Sequence, residues 1–205
     1  ISDTALMGEA LEMAGRIVAK TGCRLSCKTS NRRWERGAGR VPVERIQYPV
    51  DIALKQLETV KNLILLGAPV PVAFFAYPNK PSVLIPESCN VVDVAPEGYD
   101  LLDALTAIAA ELGATDIEPV RQKAEKPALM SGELTPESIA AAIGHLMPKD
   151  AIIADESVTS GRGLMPFTAG TEQHDWLSLT GGSIGIGMPF ATGAAIACPS
   201  NSNVR

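Results

Sequence analysis

The residues best suited to bind a ligand lie in two loops near the end of the chain. The first loop reads ADESVTSGRG and supplies the hydroxyls of Ser157, Thr159 and Ser160. The second reads LTGGSIGIGMP, and four of its glycines fall within residues 181–187. Dense glycine lets a ligand approach the backbone closely. Hydroxyls and free N–H groups together suit an anion such as a diphosphate. The two loops therefore favour an anionic small molecule as the ligand.

One competing interpretation of the second loop is a serine hydrolase. Residues 181–185, GGSIG, satisfy the G-x-S-x-G pattern between a predicted strand and a predicted helix. In that fold the acid and the histidine follow the nucleophile. Here no Asp, Glu or His follows Ser183, and both histidines, His145 and His174, precede it. A hydrolase would need both partners from beyond Arg205, so it stays a minor alternative.

Two further interpretations concern the glycines themselves. Gly185-Ile186-Gly187 begins like a dinucleotide-binding fingerprint, but the third glycine and the downstream acidic residue are missing. The glycines are also compatible with close packing of a helix start against a sheet. Among the polar residues nearby, we expect Glu156 to be structural and Arg162, His174 and Asp175 to be solvated loop residues.

The elements that must position these loops alternate between helix and strand. Apolar residues recur at helical spacing from Ala5 to Lys20, and Gly22 follows as a stop signal. Further along, the pattern predicts helices over residues 50–60 and 98–112 and strands over 23–29, 62–68, 71–77 and 90–96. The continuous apolar run of residues 62–68 is typical of a strand covered on both faces. This half therefore predicts an α/β layer structure with a mostly parallel sheet.

The second half repeats the alternation after a polar stretch, residues 114–133, that shows no sustained period and that we interpret as a linker. Thr135 as N-cap and Pro136 at the first helical position predict a helix that ends at Pro148. Strands follow at 150–157 and 176–180, and a glycine turn leads into a final helix. The two candidate loops would then lie at one carboxyl edge of a parallel sheet, where α/β proteins bind ligands.

Composition narrows the class of partner. The chain has 205 residues, a net charge of -5 and a pI near 5.1, with its Lys and Arg residues scattered. This pattern argues against nucleic acid and anionic membranes as partners. Apolar runs are interrupted by Gly and Pro, so we expect no membrane span. We therefore expect a cytoplasmic protein that acts on a small molecule.

Several long motifs resemble the thiamine diphosphate (ThDP) dependent enzymes, in the group of acetolactate synthase and benzoylformate decarboxylase. IADESVTSGRG and LTGGSIGIGMPFATGAAIACP are similar to the start of their diphosphate-binding domain. TSNRRWERGAGRVPVERIQYP and LILLGAPVPVAFFAYPNKPS look like their central domain, in the acetolactate-synthase-like branch. The resemblance implies a Rossmann-like (DHS-like) central α/β domain over residues 1–113, a linker over 114–133, and an incomplete ThDP-binding α/β domain over 134–205.

The resemblance also implies a cofactor site. In this family an apolar side chain supports ThDP in a bent conformation, and the matching residue here is Ile184. The carbonyl of Gly182 would accept a hydrogen bond from the 4'-amino group, and the first loop would contact the diphosphate. The cofactor supplies the carbanion chemistry, and the protein supplies geometry and electrostatics. The predicted cofactor-binding residues are Ser157, Val158, Thr159, Gly182, Ser183 and Ile184.

Other parts of the family's site are expected outside this sequence. The resemblance implies a Mg²⁺ motif beyond Arg205 and an activating Glu in a domain before Ile1, so we expect no metal ligand and no catalytic residue here. The chain would be a fragment, inactive alone, of a lyase or transferase that decarboxylates or ligates 2-oxo acids. The full enzyme would be a homo-oligomer, a dimer or a tetramer.

A basic cluster leaves one alternative function open. Arg32, Arg33, Arg36 and Arg40 could lie near the phosphates of FAD, as in family members that bind this cofactor in the central domain. No flavin fingerprint supports FAD, and a solvated or salt-bridged face is the preferred interpretation. The alternative to an enzyme fragment is therefore a non-catalytic, FAD-binding α/β module.

Overall fold

The computed structural model describes residues 1–161 and 163–199 and divides them into two compact units. The first unit consists of Ile1–Thr29 and Val43–Pro119. The second consists of Ser30–Pro42 and the described residues from Val120 onward. The short segment 30–42 thus packs with residues far along the chain. The domain limits derived from the sequence stay a prediction.

Helices and strands alternate through most of the chain. The helices are α1 (Gly8–Thr21), α2 (Val50–Leu57), α3 (Leu101–Glu111), α4 (Pro136–Leu146), α5 (Leu164–Thr168) and α6 (Gly187–Ala197). The strands are β1 (Ser26–Cys27), β2 (Trp34–Arg36), β3 (Glu44–Arg45), β4 (Asn62–Leu66), β5 (Asn90–Ala95), β6 (Ala151–Asp155) and β7 (His174–Ser178). The pairs β1–β3, β4–β5 and β6–β7 are parallel, and β2–β7 is antiparallel. The predicted α/β fold with mainly parallel pairing is confirmed.

In the first unit, α1 and α3 pack at the end of the β4–β5 pair. Leu66 and Ala95, the last residues of these strands, are buried with Leu101 and Leu105 of α3. Gly22 ends α1 in the left-handed conformation (φ 70°), which glycine adopts without steric cost. The Asp100 side chain caps α3 by accepting hydrogen bonds from two of its first N–H groups. The structure confirms the helices predicted over residues 5–20 and 98–112, and Gly22 is the local stop signal that predicted the end of the first.

Two strand predictions for the first unit are wrong. Residues 71–77 form no strand, and only Val72 makes an isolated bridge, with Val83. Ile64 and Val92, opposite each other in the β4–β5 register, are 57 % and 45 % exposed, so this pair is not covered on both faces. Packing by α1 and α3 reaches the strand ends and leaves these side chains exposed.

The second unit contains a three-stranded sheet in the order β2–β7–β6. Its centre is Trp176 on β7, which is fully buried. Helix α4 begins as predicted. The Thr135 hydroxyl accepts from the N–H of Ser138, and the Ser138 hydroxyl accepts from the N–H of Thr135 at 2.8 Å, which completes a capping box. Helix α5 lies in a stretch that the sequence predicted as a loop.

A buried cation lies in this sheet. The guanidinium of Arg36 lies over both indoles, 4.8 Å from the ring centroid of Trp34 and 5.1 Å from that of Trp176, at cation–π distance. It also donates to the Thr168 hydroxyl at 2.9 Å and to the Met165 carbonyl at 2.8 Å. The expectation of a solvated side chain is therefore wrong for Arg36, which is only 8 % exposed.

Throughout the described ranges, every helix is too short or too polar to cross a bilayer.

Candidate functional site

Strands β6 and β7 bring the two candidate loops to one edge of the sheet. The strands pair in parallel, from Ala151 opposite His174 to Asp155 opposite Ser178. The loop of residues 156–161 leaves the carboxyl end of β6, and the loop of residues 179–186 leaves the carboxyl end of β7. Their convergence at this edge follows the sequence prediction and is the usual location of a ligand in an α/β fold.

The first loop is held by Asp155, the last residue of β6. One oxygen of its carboxylate accepts from the Ser157 N–H at 2.9 Å and from the Ser157 hydroxyl. Its other oxygen accepts from the indole Nε1 of Trp176 at 3.2 Å. A Cβ on Gly161 would overlap the Ser157 side chain, so glycine is required at that position. The loop is thus anchored to the core of the unit.

Val158 has an unusual backbone conformation in this loop. Its φ is +44°, in the left-handed region that β-branched residues rarely adopt, and its side chain is 54 % exposed. Such a conformation costs about 1–3 kcal/mol and persists only where the surrounding structure imposes it. Strain of this kind is frequent at ligand sites, and Val158 is one of the residues predicted to contact the diphosphate.

The second loop uses glycine to turn and presents an apolar side chain. Gly181, Gly182 and Gly185 have φ values of 63°, 67° and 101°, which residues with a Cβ seldom adopt. Between them Ile184 is 80 % exposed. The carbonyl of Gly182 accepts from the Ile184 N–H at 3.0 Å and retains a second lone pair. Ile184 therefore projects from a turn whose carbonyl can still accept a hydrogen bond.

Glu156 connects the two loops. One carboxylate oxygen accepts from the N–H of Gly185, and the other accepts from the N–H of Gly187 at 2.6 Å. These two backbone hydrogen bonds lower the pKa of Glu156 below its usual value. The sequence indicated only a structural role for this residue. Its contacts depend on a turn about thirty positions away, so no local pattern could have revealed them.

Two of the residues expected in solvated loops lie on β7. His174 is only 4 % exposed, and burial lowers its pKa to about 4. Asp175 accepts two hydrogen bonds from the guanidinium of Arg33, both at 3.0 Å, and this interaction raises the pKa of Arg33. The loop prediction is wrong for both residues because β7 begins at His174. Arg162 lies outside the described residues.

The geometry does not favour a serine hydrolase. Ser183 is absent from the residues with positive φ, whereas the nucleophile elbow is a strained turn that leads directly into a helix. Helix α6 begins only at Gly187. His174 lies at the start of β7, opposite the end that leads to Ser183, and its Nδ1 contacts the Glu172 carbonyl at 2.7 Å.

Two further predictions concern the side chains that could bind a metal ion or a flavin. Across residues 1–161 and 163–199, no group of three or more His, Cys, Asp or Glu side chains could hold a metal ion. In the basic cluster, Arg33 pairs with Asp175, and Arg40 pairs with Glu35 at 3.0 Å. These two arginines thus follow the salt-bridged interpretation. Binding of ThDP, Mg²⁺ or FAD at the predicted residues stays a prediction.

Two comparisons with known proteins find related chains. The sequence is 47 % identical over 199 residues to a Mycobacterium tuberculosis protein named "Putative acetolactate synthase large subunit IlvX". That alignment covers 97 % of this chain and 38 % of the relative. The fold matches the thiamine diphosphate-dependent 4-hydroxybenzoylformate decarboxylase of Rhodococcus jostii, with a TM-score of 0.67 and 20 % identity. The structural match covers 95 % of this chain and 39 % of that one.

No family model matches the chain. The sequence spans less than two fifths of its curated relative, and the structural likeness, at 20 % identity, concerns the fold alone. Together the two similarities confirm the resemblance drawn from the motifs in both halves of the chain.

Proposed function

We propose, on the premise that this chain belongs with the ThDP-dependent enzymes of the acetolactate-synthase-like group, that it carries part of a ThDP site. The whole protein would be a carboligase or decarboxylase of 2-oxo acids. The 47 % identity to a protein named as an acetolactate synthase large subunit supports that branch of the family. Decarboxylation and carboligation both proceed through a carbanion that ThDP, when bound, stabilises.

The observation that carries the proposal is the arrangement at the carboxyl edge of β6 and β7. Two loops meet there, and Glu156 joins them through the N–H groups of Gly185 and Gly187. One loop presents Ile184 at 80 % exposure from a glycine turn. Because ligands of α/β proteins bind at the carboxyl ends of the strands, an exposed apolar side chain on this turn is well placed to support a bound planar group.

Individual residues would have distinct tasks at this site. Ile184 would lie beneath the cofactor and keep it bent. The Gly182 carbonyl would accept a hydrogen bond from the pyrimidine amino group through its remaining lone pair. Ser157, Val158 and Thr159 would contact the diphosphate, and Ser183 would hold the turn through its N–H, which donates to the Thr180 carbonyl at 3.3 Å.

Several parts of the proposal concern groups outside the described residues. We propose Mg²⁺ as the partner of the diphosphate, bound by a motif beyond Arg205. Residues 1–161 and 163–199 contain no group of three or more His, Cys, Asp or Glu side chains that could hold the ion. The activating Glu, the 2-oxo acid pocket, the cytoplasmic location and the homo-oligomer, a dimer or a tetramer, belong to the same proposal. This chain alone would be inactive.

Titration calorimetry with ThDP and Mg²⁺ tests the proposal on the product of the complete reading frame that contains this sequence. We expect saturable binding, and Ile184→Asp should weaken it at least tenfold because a charge would replace the apolar support. Ile52→Asp is the matched control, since Ile52 is an exposed isoleucine (54 %) in the first turn of α2, in the other unit. An unmodified protein that takes up FAD and no ThDP would favour the non-catalytic module instead.

A further inference from the structure

We infer that Glu156 is a positioning residue, whose carboxylate holds the glycine turn in the conformation that presents Ile184. This inference rests on the proposed function, because the value of a fixed Ile184 depends on a cofactor above it. Neither comparison assigns a role to Glu156. Its two carboxylate oxygens accept from the N–H groups of Gly185 and Gly187, the two glycines that follow Ile184.

The backbone around the turn is shaped for this carboxylate. Gly185, whose N–H donates to Glu156, has a φ of 101°, which glycine adopts without steric cost. A Cβ on Gly187 would lie 2.8 Å from a carboxylate oxygen of Glu156, so a larger residue there would push the carboxylate out of its present position. Both the donors and the space in front of them are therefore matched to a carboxylate.

The contact with Glu156 also caps the start of helix α6. Gly187 is its first residue, and the first N–H groups of a helix have no partner within the helix. Ile186 stands at the N-cap position and offers no side-chain cap. A carboxylate at a helix N-terminus is also favoured by the helix dipole. Glu156 supplies from another loop the cap that the adjacent sequence lacks.

The position of Glu156 between Asp155 and Ser157 makes the contact a connection between the two loops. Asp155 binds Ser157 on one side and the buried Trp176 on the other. The carboxylate of Glu156 thus projects from a segment anchored to the core. Movement of the glycine turn away from the first loop would break two hydrogen bonds to one carboxylate. We therefore infer that Glu156 fixes the distance between two parts of the site. One is the loop that would contact the diphosphate, and the other is the Ile184 side chain that would lie beneath the cofactor ring.

Glu156→Gln is the most informative substitution. An ionised carboxylate only accepts hydrogen bonds, whereas an amide of the same shape has one accepting oxygen and a donating NH₂ group. Gln could satisfy one of the two N–H groups and would place a donor against the other. Glu133→Gln is the matched control, since it removes the same charge from an exposed position in the second unit.

NMR of the 205-residue chain tests the contact without any cofactor. In the unmodified protein the amide protons of Gly185 and Gly187 should shift together with pH, with a midpoint below the usual Glu pKa of about 4.3. In Glu156→Gln this titration should vanish, and both amides should exchange with solvent at least tenfold faster. Glu133→Gln should behave like the unmodified protein. Unchanged exchange and titration in Glu156→Gln would overturn the inference.

Calorimetry on the product of the complete reading frame tests the consequence for the cofactor. Glu156→Gln should weaken ThDP binding about tenfold, whereas Glu133→Gln should leave it unchanged. If the glycine amides lose protection and ThDP affinity does not change, Glu156 is only a helix cap, and the positioning role is wrong. If the unmodified protein binds no ThDP, the proposed function fails, and the amide data alone decide whether Glu156 holds the turn.

Discussion

The parallel pair β4–β5 of the first unit and the parallel pair β6–β7 of the second unit differ at their carboxyl ends. In the first unit, β4 leads into Gly67, whose carbonyl accepts from the Ser2 hydroxyl, and β5 leads toward the cap that Asp100 makes on α3. In the second unit, carboxylates at the strand end bind the loops themselves, through Asp155 and Glu156. The strands pair in the same way in both units, but the carboxylates that follow them act differently. In the first unit Asp100 caps a helix, and in the second Asp155 and Glu156 hold the loops. The strand order predicts where the loops meet, and the side chains determine which contacts form there.

The loops of the two units also differ in backbone strain. Asn79 in the first unit has a φ of 58°, and Val158 in the second has a φ of 44°. Asn tolerates this region because its short polar side chain can hydrogen-bond locally, whereas a β-branched residue is strained there. Asn79 is therefore compatible with its positive φ, whereas Val158, beside the candidate site, is not.

The largest expected effect concerns the core beneath the candidate site. Trp176→Ala should destabilise the protein by about 3–5 kcal/mol, because it removes a fully buried side chain. It also removes the indole donor to Asp155. Urea unfolding followed by circular dichroism measures the loss. Leu105→Ala, in the core of the first unit, is the comparison, at about 2–5 kcal/mol. Full protection of residues 156–161 from hydrogen exchange in Trp176→Ala would contradict the anchoring role of Asp155.

A pH-dependent effect should follow from His174. Burial lowers its folded-state pKa from 6.5 to about 4, and the nearby charge of Arg36 acts in the same direction. The unfolded chain therefore binds this proton at a higher pH than the folded one. The stabilisation is complete above about pH 6.5 and is lost as pH falls toward 4, by up to about 3 kcal/mol.

Urea unfolding at a series of pH values between 4 and 7 measures this loss. His174→Phe should flatten the profile in that window, since the titrating group is removed. Both histidines of the chain lie in the second unit, so the contribution of His174 should be lost with the second unit's own unfolding transition. A variant profile as steep as the original would assign the effect to another group.

A smaller effect on the free energy of unfolding should distinguish Val158 from Asn79, which both have a positive φ. Val158→Asn should raise the free energy of unfolding by about 1 kcal/mol, because Asn adopts the left-handed region more readily than Val. Asn79→Val should lower it by a similar amount. Thermal unfolding of the two variants measures both changes. If Val158→Asn stabilises the protein but weakens ThDP binding, the strain serves the ligand site.

The smallest expected effect concerns the half-exposed ion pair of Arg33 with Asp175. Arg33→Lys should cost no more than about 1 kcal/mol, because one ammonium cannot reproduce the two parallel hydrogen bonds, and exposed pairs contribute little. Urea unfolding at low and high salt measures it. A larger loss, insensitive to salt, would mean that Arg33 positions β7 through contacts other than charge.

The sequence predicted those elements whose signals are local. Gly22 ended α1, and Thr135 with Pro136 opened α4, because caps act within a few residues of the helix they stabilise. The short strand β2 was not predicted, since Trp34–Arg36 becomes a strand only by pairing with β7, far along the chain. The apolar run at 71–77 indicated a strand, but apart from the Val72 bridge its residues pair with no strand.

At the candidate site, the sequence located the loops but not their internal contacts. Glycine density and the order of the strands were enough to predict that the loops of residues 154–163 and 179–189 meet at one edge, and the family resemblance pointed to the individual residues within them. The carboxylate of Glu156 on the glycine turn, and the burial of His174, depend on distances between segments that no local spacing encodes. Cofactor binding by the six predicted residues stays a prediction.

The position of Arg36 over Trp34 and Trp176 has a spectroscopic consequence. These are the two tryptophans of the chain, and both belong to the second unit, whereas the three tyrosines, Tyr48, Tyr77 and Tyr99, belong to the first. Selective excitation of tryptophan fluorescence therefore reports on the second unit alone. Because the Trp176 indole donates to Asp155, its emission should also respond when the loop beside the candidate site moves. The chain thus carries its own optical label for the part of the molecule where a ligand is expected.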